Sequence, residues 1–144
     1  MDKELDDFQK DWERIVDKAS LDYYSLTMPE RVWFNIQSLI IAVDDGGLAS
    51  YYYNSEADYV FETIEDLRLM NMKDVVRILE KINHLFPNNS PSKDGQERNE
   101  VISKWPENHE QLLEVLNEEF YQYKGALEKA LVNHIVKNKL SFSI

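Results

Sequence analysis

The stretch "LTMPERVWFNIQSLIIAVDDGGLASYYYNS", residues 26–55, decides how this chain folds. Thr27 is placed to cap a helix N-terminus. Pro29 falls in the first turn, and Glu30, three residues after Thr27, completes a capping box. Val32, Trp33, Ile36, Leu39, Ile40 and Val43 then recur in helical steps. Phe34 and Ile41 add a second apolar face, and a helix apolar over so much of its circumference belongs at the centre of a core. It is expected to end near Asp44 or Asp45, with Gly46 taking the left-handed conformation of a C-cap. "LASYYYN" is long enough for about two further turns. Asn54-Ser55 reads as the next stop and restart, with Asn54 in a left-handed cap and Ser55 as N-cap. Tyr51, Tyr52 and Tyr53 fan about 100° apart on a helix and cannot all face one ligand. One or two belong in the core and the rest at a surface or an interface.

Helical periodicity continues on both sides. Leu5, Phe8, Trp12, Ile15, Val16 and Ala19 outline an amphipathic N-terminal helix. Its other faces carry Asp2, Asp6, Asp7, Asp11, Glu13 and Asp17 among Lys10, Arg14 and Lys18. From Ala57 the pattern resumes through Tyr59, Val60, Ile64, Leu67 and Met70. Asn71 is the expected cap of a helix through Val75, Val76, Ile78, Leu79 and Ile82 that stops before Pro87. "PNNSPSKDGQ" is an exposed loop. A short helix in "QERNEVISKW" follows, then a longer one from Glu107 to about Tyr121, and a last one from Gly125 to Asn138. Gly125 either breaks the last two or lies inside one continuous helix. The expectation is an all-α, single compact domain over residues 1–144, with seven or eight helices and no strand.

Composition agrees. The 144 residues include 43% apolar residues, only 4 Gly and 4 Pro, and no cysteine. That suits one helical core and excludes disulfides and thiolate metal sites. "LIIAV" is the longest apolar run, too short to span a bilayer. The start "MDKELDDFQK" lacks the apolar run of a signal peptide, so the chain reads as soluble and cytoplasmic. The net charge is −11, from 27 acidic and 16 basic residues. Such a chain is repelled by nucleic acid and anionic lipid and attracted to basic proteins. Solubility alone also accounts for that charge.

Catalytic patterns are missing. His84, His109 and His134 share no turn of helix and no H-E-x-x-H pattern, so no metal site is expected. There is no G-x-S-x-G, and "DDGG" lacks the lysine and hydroxyl residue of a phosphate loop. Asp44 and Asp45 could form an acid/base pair at the unfavourable end of a helix dipole, or the turn could simply expose them to water. The second reading is preferred: no enzyme, no catalytic residue and no cofactor. The informative pattern is Glu107, Glu110, Glu114 and Glu118. At 100° per residue they fall within about an 80° sector of one helix, about 5–6 Å apart, opposite Leu112, Leu113, Leu116 and Phe120. DNA phosphates advance about 3.4 Å per step along one strand, a loose but usable match for a basic partner. A solvated helix face is the plainer alternative.

The segment from "LTMPERVWFNIQSL" through "DDGGLASYYYNS" to "VVRILEKINHLFP" resembles the bacterial DNA-mimic protein family, a helical group most of whose members have no assigned function. The matching residues are Leu26 and Arg31, Asp45-Gly46-Gly47-Leu48, Tyr51-Tyr52 and Asn54-Ser55, with "NEEFYQY", Asn117 to Tyr123, similar to a later acidic segment. The resemblance covers residues 26–138 as a family-like core. Asp45 stands where the pattern has Asn, and residues 1–20 look like a variable addition. The resemblance implies an all-α fold, often dimeric (a homodimer), and, in the family's best-known case, an acidic surface that imitates duplex DNA and occupies a transcription factor. The signature residues are read as mainly structural, because mimicry lives in distributed charge. The leading expectation is therefore a non-enzymatic binder of a basic DNA-binding protein. The alternatives are an immunity or antitoxin-like protein masking a basic toxin or nuclease, and an enzyme with a pocket near the Gly-Gly turn.

Overall fold

The computed structural model describes residues 3–141. Asp2, placed on the first helix by periodicity, lies outside them. The described residues form six α-helices: α1 (Gln9–Leu21), α2 (Met28–Tyr53), α3 (Val60–Leu69), α4 (Lys73–Asn83), α5 (Gly95–Ser103) and α6 (Glu107–Lys137). Short 3-10 segments lie at Leu5–Phe8, Tyr23–Ser25, Ser55–Tyr59 and Pro87–Asn89. No strand occurs among the described residues.

The count is six α-helices rather than seven or eight, and α6 is one reason. Its 31 residues run straight through Gly125. A Cβ at Gly125 would meet nothing within 4 Å, so the helix is open to solvent around that position. The buried stripe Leu113, Leu116, Phe120, Leu127, Leu131 and Ile135 carries on across it. The second reason is that the two helices expected on either side of Gly46-Gly47 form one element, α2, kinked at the non-helical Gly46 and Gly47.

α2 is the axis of the molecule. It packs against α1, α3, α5, α6 and the Ser55–Tyr59 segment. The capping box that opens it is present. Thr27 Oγ1 accepts from the Glu30 N–H at 3.3 Å, and Glu30 Oε1 accepts from the Thr27 N–H at 2.9 Å. Trp33, Ile36, Leu39, Leu48, Tyr51 and Tyr52 are all fully buried along its length. α6 lies antiparallel beside it: His134 meets the Pro29 carbonyl at one end and Tyr121 the Val43 carbonyl at the other. Each apolar stripe buries against the same core, and this burial drives association at roughly 25 cal/mol per Å².

Four local expectations are corrected. Gly47, not Gly46, takes the left-handed backbone, with φ 79° and ψ −175°, while Gly46 has φ −158°. Asn54 is not left-handed. Its φ is −98°, and its side-chain amide instead donates to the Ser50 carbonyl at 2.8 Å. Ser55 opens a 3-10 segment rather than capping an α-helix. Asn71 does not cap α4: it has φ 58° in the turn before it, and Met72 stands at the cap without a side-chain bond. In that turn the Met72 N–H bonds to the Leu67 carbonyl at 2.9 Å, so a left-handed residue closes α3 instead of opening α4.

Candidate functional site

The N-terminal half of α6 presents a face of carboxylates. Glu107, Glu110, Glu114 and Glu118 are all exposed. Among the described residues none of the four is ion-paired; the neighbouring ion pairs belong to Glu119, with Arg77 at 3.4 Å, and to Asp44, with Lys124 at 2.9 Å. Glu107 and Glu110 lie in the first turn, where the helix dipole favours negative charge. The dipole accounts for two carboxylates at that end, but its effect falls off beyond the first turn and leaves Glu114 and Glu118 without that support. From Glu107 to Glu118 the row spans about 16 Å.

The Gly-Gly joint sits against this helix. Asn117 Oδ1 accepts from the Leu48 N–H at 2.8 Å. A Cβ on Gly47 would stand 2.9 Å from Asn117 Nδ2. Glycine is therefore required twice over, by its positive φ and by the approach of the Asn117 amide. On the other side of the break, Tyr121 donates its hydroxyl to the Val43 carbonyl at 3.1 Å. Asp44 and Asp45 are both exposed. Lys124 pairs with Asp44 at 2.9 Å, while Asp45 has no ion pair among the described residues.

Of the other residues that carry the resemblance, Arg31, Tyr51, Tyr52 and Asn54 make contacts within the fold. Tyr51 and Tyr52 are fully buried. Tyr52 donates to Asn83 Oδ1 at 2.6 Å on α4, and Tyr51 lies 3.5 Å from Thr63 Oγ1 on α3. Burial pushes both phenols above their ordinary value. Tyr53 is the exposed member of the three. Asn54 presents its carbonyl to Arg98 Nη2 at 2.9 Å. Ser55 is exposed. Arg31 grips Asp66 on α3 with two nitrogens, one at 3.2 Å. Asn35 also donates to Asp66 at 2.9 Å, and Tyr23 donates to Asn35 at 3.1 Å. Burial raises the Asp66 carboxyl, while Arg31 and Asn35 pull it back.

Sequence reasoning gave no role to Asp66, Arg98 or Asn117. Arg98 is fully buried and donates to three carbonyls: Tyr52 at 3.0 Å, Ser92 at 2.7 Å and Asn54 at 2.9 Å. It also pairs with Asp58 at 2.8 Å. One guanidinium thus ties the end of α2, the start of the next segment and the loop before α5. A signal existed in each case: the polar residue sits on the apolar stripe of its helix. Arg98 precedes Ile102 by four residues, and Asn117 follows Leu113 by four.

Cavities lie elsewhere. A groove of about 780 Å³ runs between Leu5 and the C-terminal half of α6, past Val132 and Val136. A smaller one of about 220 Å³ lies between α3 and α4 at Phe61, Arg68 and His84. Neither is lined by Asp44, Asp45 or the three tyrosines, so neither supplies the pocket that an enzyme at the Gly-Gly turn requires. Among the described residues no group of three His, Asp or Glu converges to hold a metal ion, and no helix is long and apolar enough to cross a membrane.

Comparison with curated proteins finds no match, and neither does comparison with solved structures. A family profile described as DMP19-like protein matches residues 24–138, which begin at Tyr24, past α1, and include every element from α2 to α6. The chain belongs to the DMP19-like protein family, a family of DNA mimics.

Proposed function

We propose that this protein is a non-enzymatic DNA mimic that occupies a basic DNA-binding protein, such as a transcription factor. Its carboxylates take the place of phosphates before the partner's Arg and Lys. The observation that carries the reading is the run from Trp105 to Tyr123, which holds five glutamates and no lysine or arginine. Four of those glutamates form the exposed, unpaired row on α6. Family membership supports the same reading. Binding of this kind gains on-rate and specificity from complementary charge and weakens as salt screens it.

The test is retention of basic proteins from a host lysate at low salt, followed by a salt gradient and competition with duplex DNA. A retained DNA-binding protein that salt elutes and duplex DNA displaces supports mimicry. Glu110→Lys with Glu114→Lys should then weaken that complex about tenfold or more, because two favourable contacts become repulsive. Unchanged affinity removes the row from the mechanism, and a complex that survives high salt removes electrostatic mimicry itself. Residues 24–138 act in this reading as the binding core, with the N-terminal helix an addition. The protein works as a homodimer, and light scattering that finds a 17.0 kDa particle at micromolar concentration contradicts that part.

A further inference from the structure

The groove beside the C-terminal half of α6 has no part in the acidic row. One wall is the N-terminal segment around Leu5. The other is a single helix face, on which Gly125, Glu128, Lys129, Val132, Val136 and Lys137 recur in steps of three and four over about 18 Å. Val132 is buried at its floor, while Val136 is 52% exposed. Gly125 leaves one end without a side chain, so another helix can come close.

Charge sets this face apart. The chain carries −11, and two copies repel wherever acids dominate. In the groove, Lys3, Lys129 and Lys137 balance Glu4, Asp6 and Glu128. None of these six is in an ion pair among the described residues. A basic protein is drawn to the acidic row, not to three lysines, and nucleic acid or anionic lipid meets three carboxylates here with a net negative chain behind them. A balanced, unpaired set suits a copy of itself. The order of charges on α6 supplies the register. Glu128 and Lys137 are equidistant from the point midway between Val132 and Asn133, and so are Lys129 and Val136. A second α6 running antiparallel about a two-fold axis at that point sets Glu128 of each copy against Lys137 of the other and lays the Lys129 stem across Val136.

We infer that this face is where two copies of the chain meet, α6 against α6, with Val132 and Val136 at the centre and a Glu128–Lys137 pair on each side. This rests on the homodimer reading of the proposed function and gives it an interface. Glu118, the nearest member of the acidic row, stands about 22 Å from the axis along the helix. The two rows are then about 40 Å or more apart, several Debye lengths at physiological salt, so they do not repel and both stay open.

Light scattering through a dilution series tests the interface. At micromolar concentration the wild-type chain should give twice 17.0 kDa. Glu128→Lys and Lys137→Glu, each alone, set like charges together at two symmetric places and should raise the dimer dissociation constant about tenfold or more. The double variant, and an equimolar mixture of the two single variants, should both recover the wild-type value, which a general loss of stability would not allow. Val136→Asp should leave a monomer, whereas Val115→Asp, also exposed on α6 but outside the groove, should stay dimeric. A dimer that both single variants leave intact, or that the double variant fails to restore, overturns this interface and spares the homodimer. A monomeric wild type overturns both. Mimicry is judged separately, on the salt-eluted complex with a basic protein.

Discussion

Gly47→Ala should be among the costliest single-methyl additions this protein can suffer. Gly47 has φ 79° and ψ −175°, a region open essentially to glycine alone. Forcing an L-residue there costs about 1–3 kcal/mol. The new Cβ would also lie 2.9 Å from Asn117 Nδ2 and 3.3 Å from its Cγ and Oδ1, so the Asn117 amide must retreat. The Leu48 N–H then loses its acceptor, which costs about 0.5–1.5 kcal/mol more. The sum is about 2–4 kcal/mol. With a urea m-value of about 2 kcal/mol/M, the unfolding midpoint should fall by about 1–2 M. Far-UV circular dichroism through a urea titration reads this directly, and faster exchange of the Leu48 amide reads the broken bond. Gly46→Ala is the internal control. Its φ of −158° suits any residue, and its one conflict is with the Ser50 side chain, whose Cβ is 2.9 Å away. It should cost less than Gly47→Ala. A loss below about 1 kcal/mol at Gly47, or a reversed order of the two glycines, would refute the assignment of strain and contact to Gly47.

Other perturbations separate the roles of the remaining residues. Gly125→Ala should stabilise the protein by about 0.5–1 kcal/mol, since the position is exposed, helical and open around its Cβ; a lower urea midpoint would show that something needs the bare backbone there. Arg98→Met should cost about 3–5 kcal/mol, because it strands Asp58 and three carbonyls, and Arg98→Lys should recover only part, since a point charge cannot span that fork of acceptors. Equal stability of the Lys variant and wild type would contradict this. The last concerns Glu30. Burial would raise its carboxyl, but Lys18 at 2.7 Å and the Thr27 contacts outweigh burial and hold it below the ordinary 4.5. A lowered carboxylate contributes stability that is present above the unfolded value and lost as pH falls through the folded one. Glu30→Gln should therefore lower stability at neutral pH, and the gap to wild type should close below pH 4.5, as measured by urea titrations across pH. A gap that widens in acid would reverse the assigned direction.

The sequence by itself determined whatever depends on neighbours a few residues apart. The Thr27–Glu30 capping box, the stripe from Val32 to Val43 and the angular sector of Glu107, Glu110, Glu114 and Glu118 all follow from helix geometry, which repeats every 3.6 residues. The existence of a joint at Gly46-Gly47 was legible for the same reason, since two glycines end a helix whatever surrounds them. Which glycine carries the positive φ was not, because Asn117, from 69 residues away along the chain, decides it. The grip of Arg31 on Asp66 spans 35 residues and that of Arg98 on Tyr52 spans 46. No local pattern encodes such pairings; they form only when packing brings the partners together and removes the water that would otherwise serve them. The same holds for the acidic row. Its spacing was readable on one helix, but that its four glutamates lack basic partners among the described residues, while Asp44 and Glu119 have them, was decided by which helices the tertiary structure placed alongside.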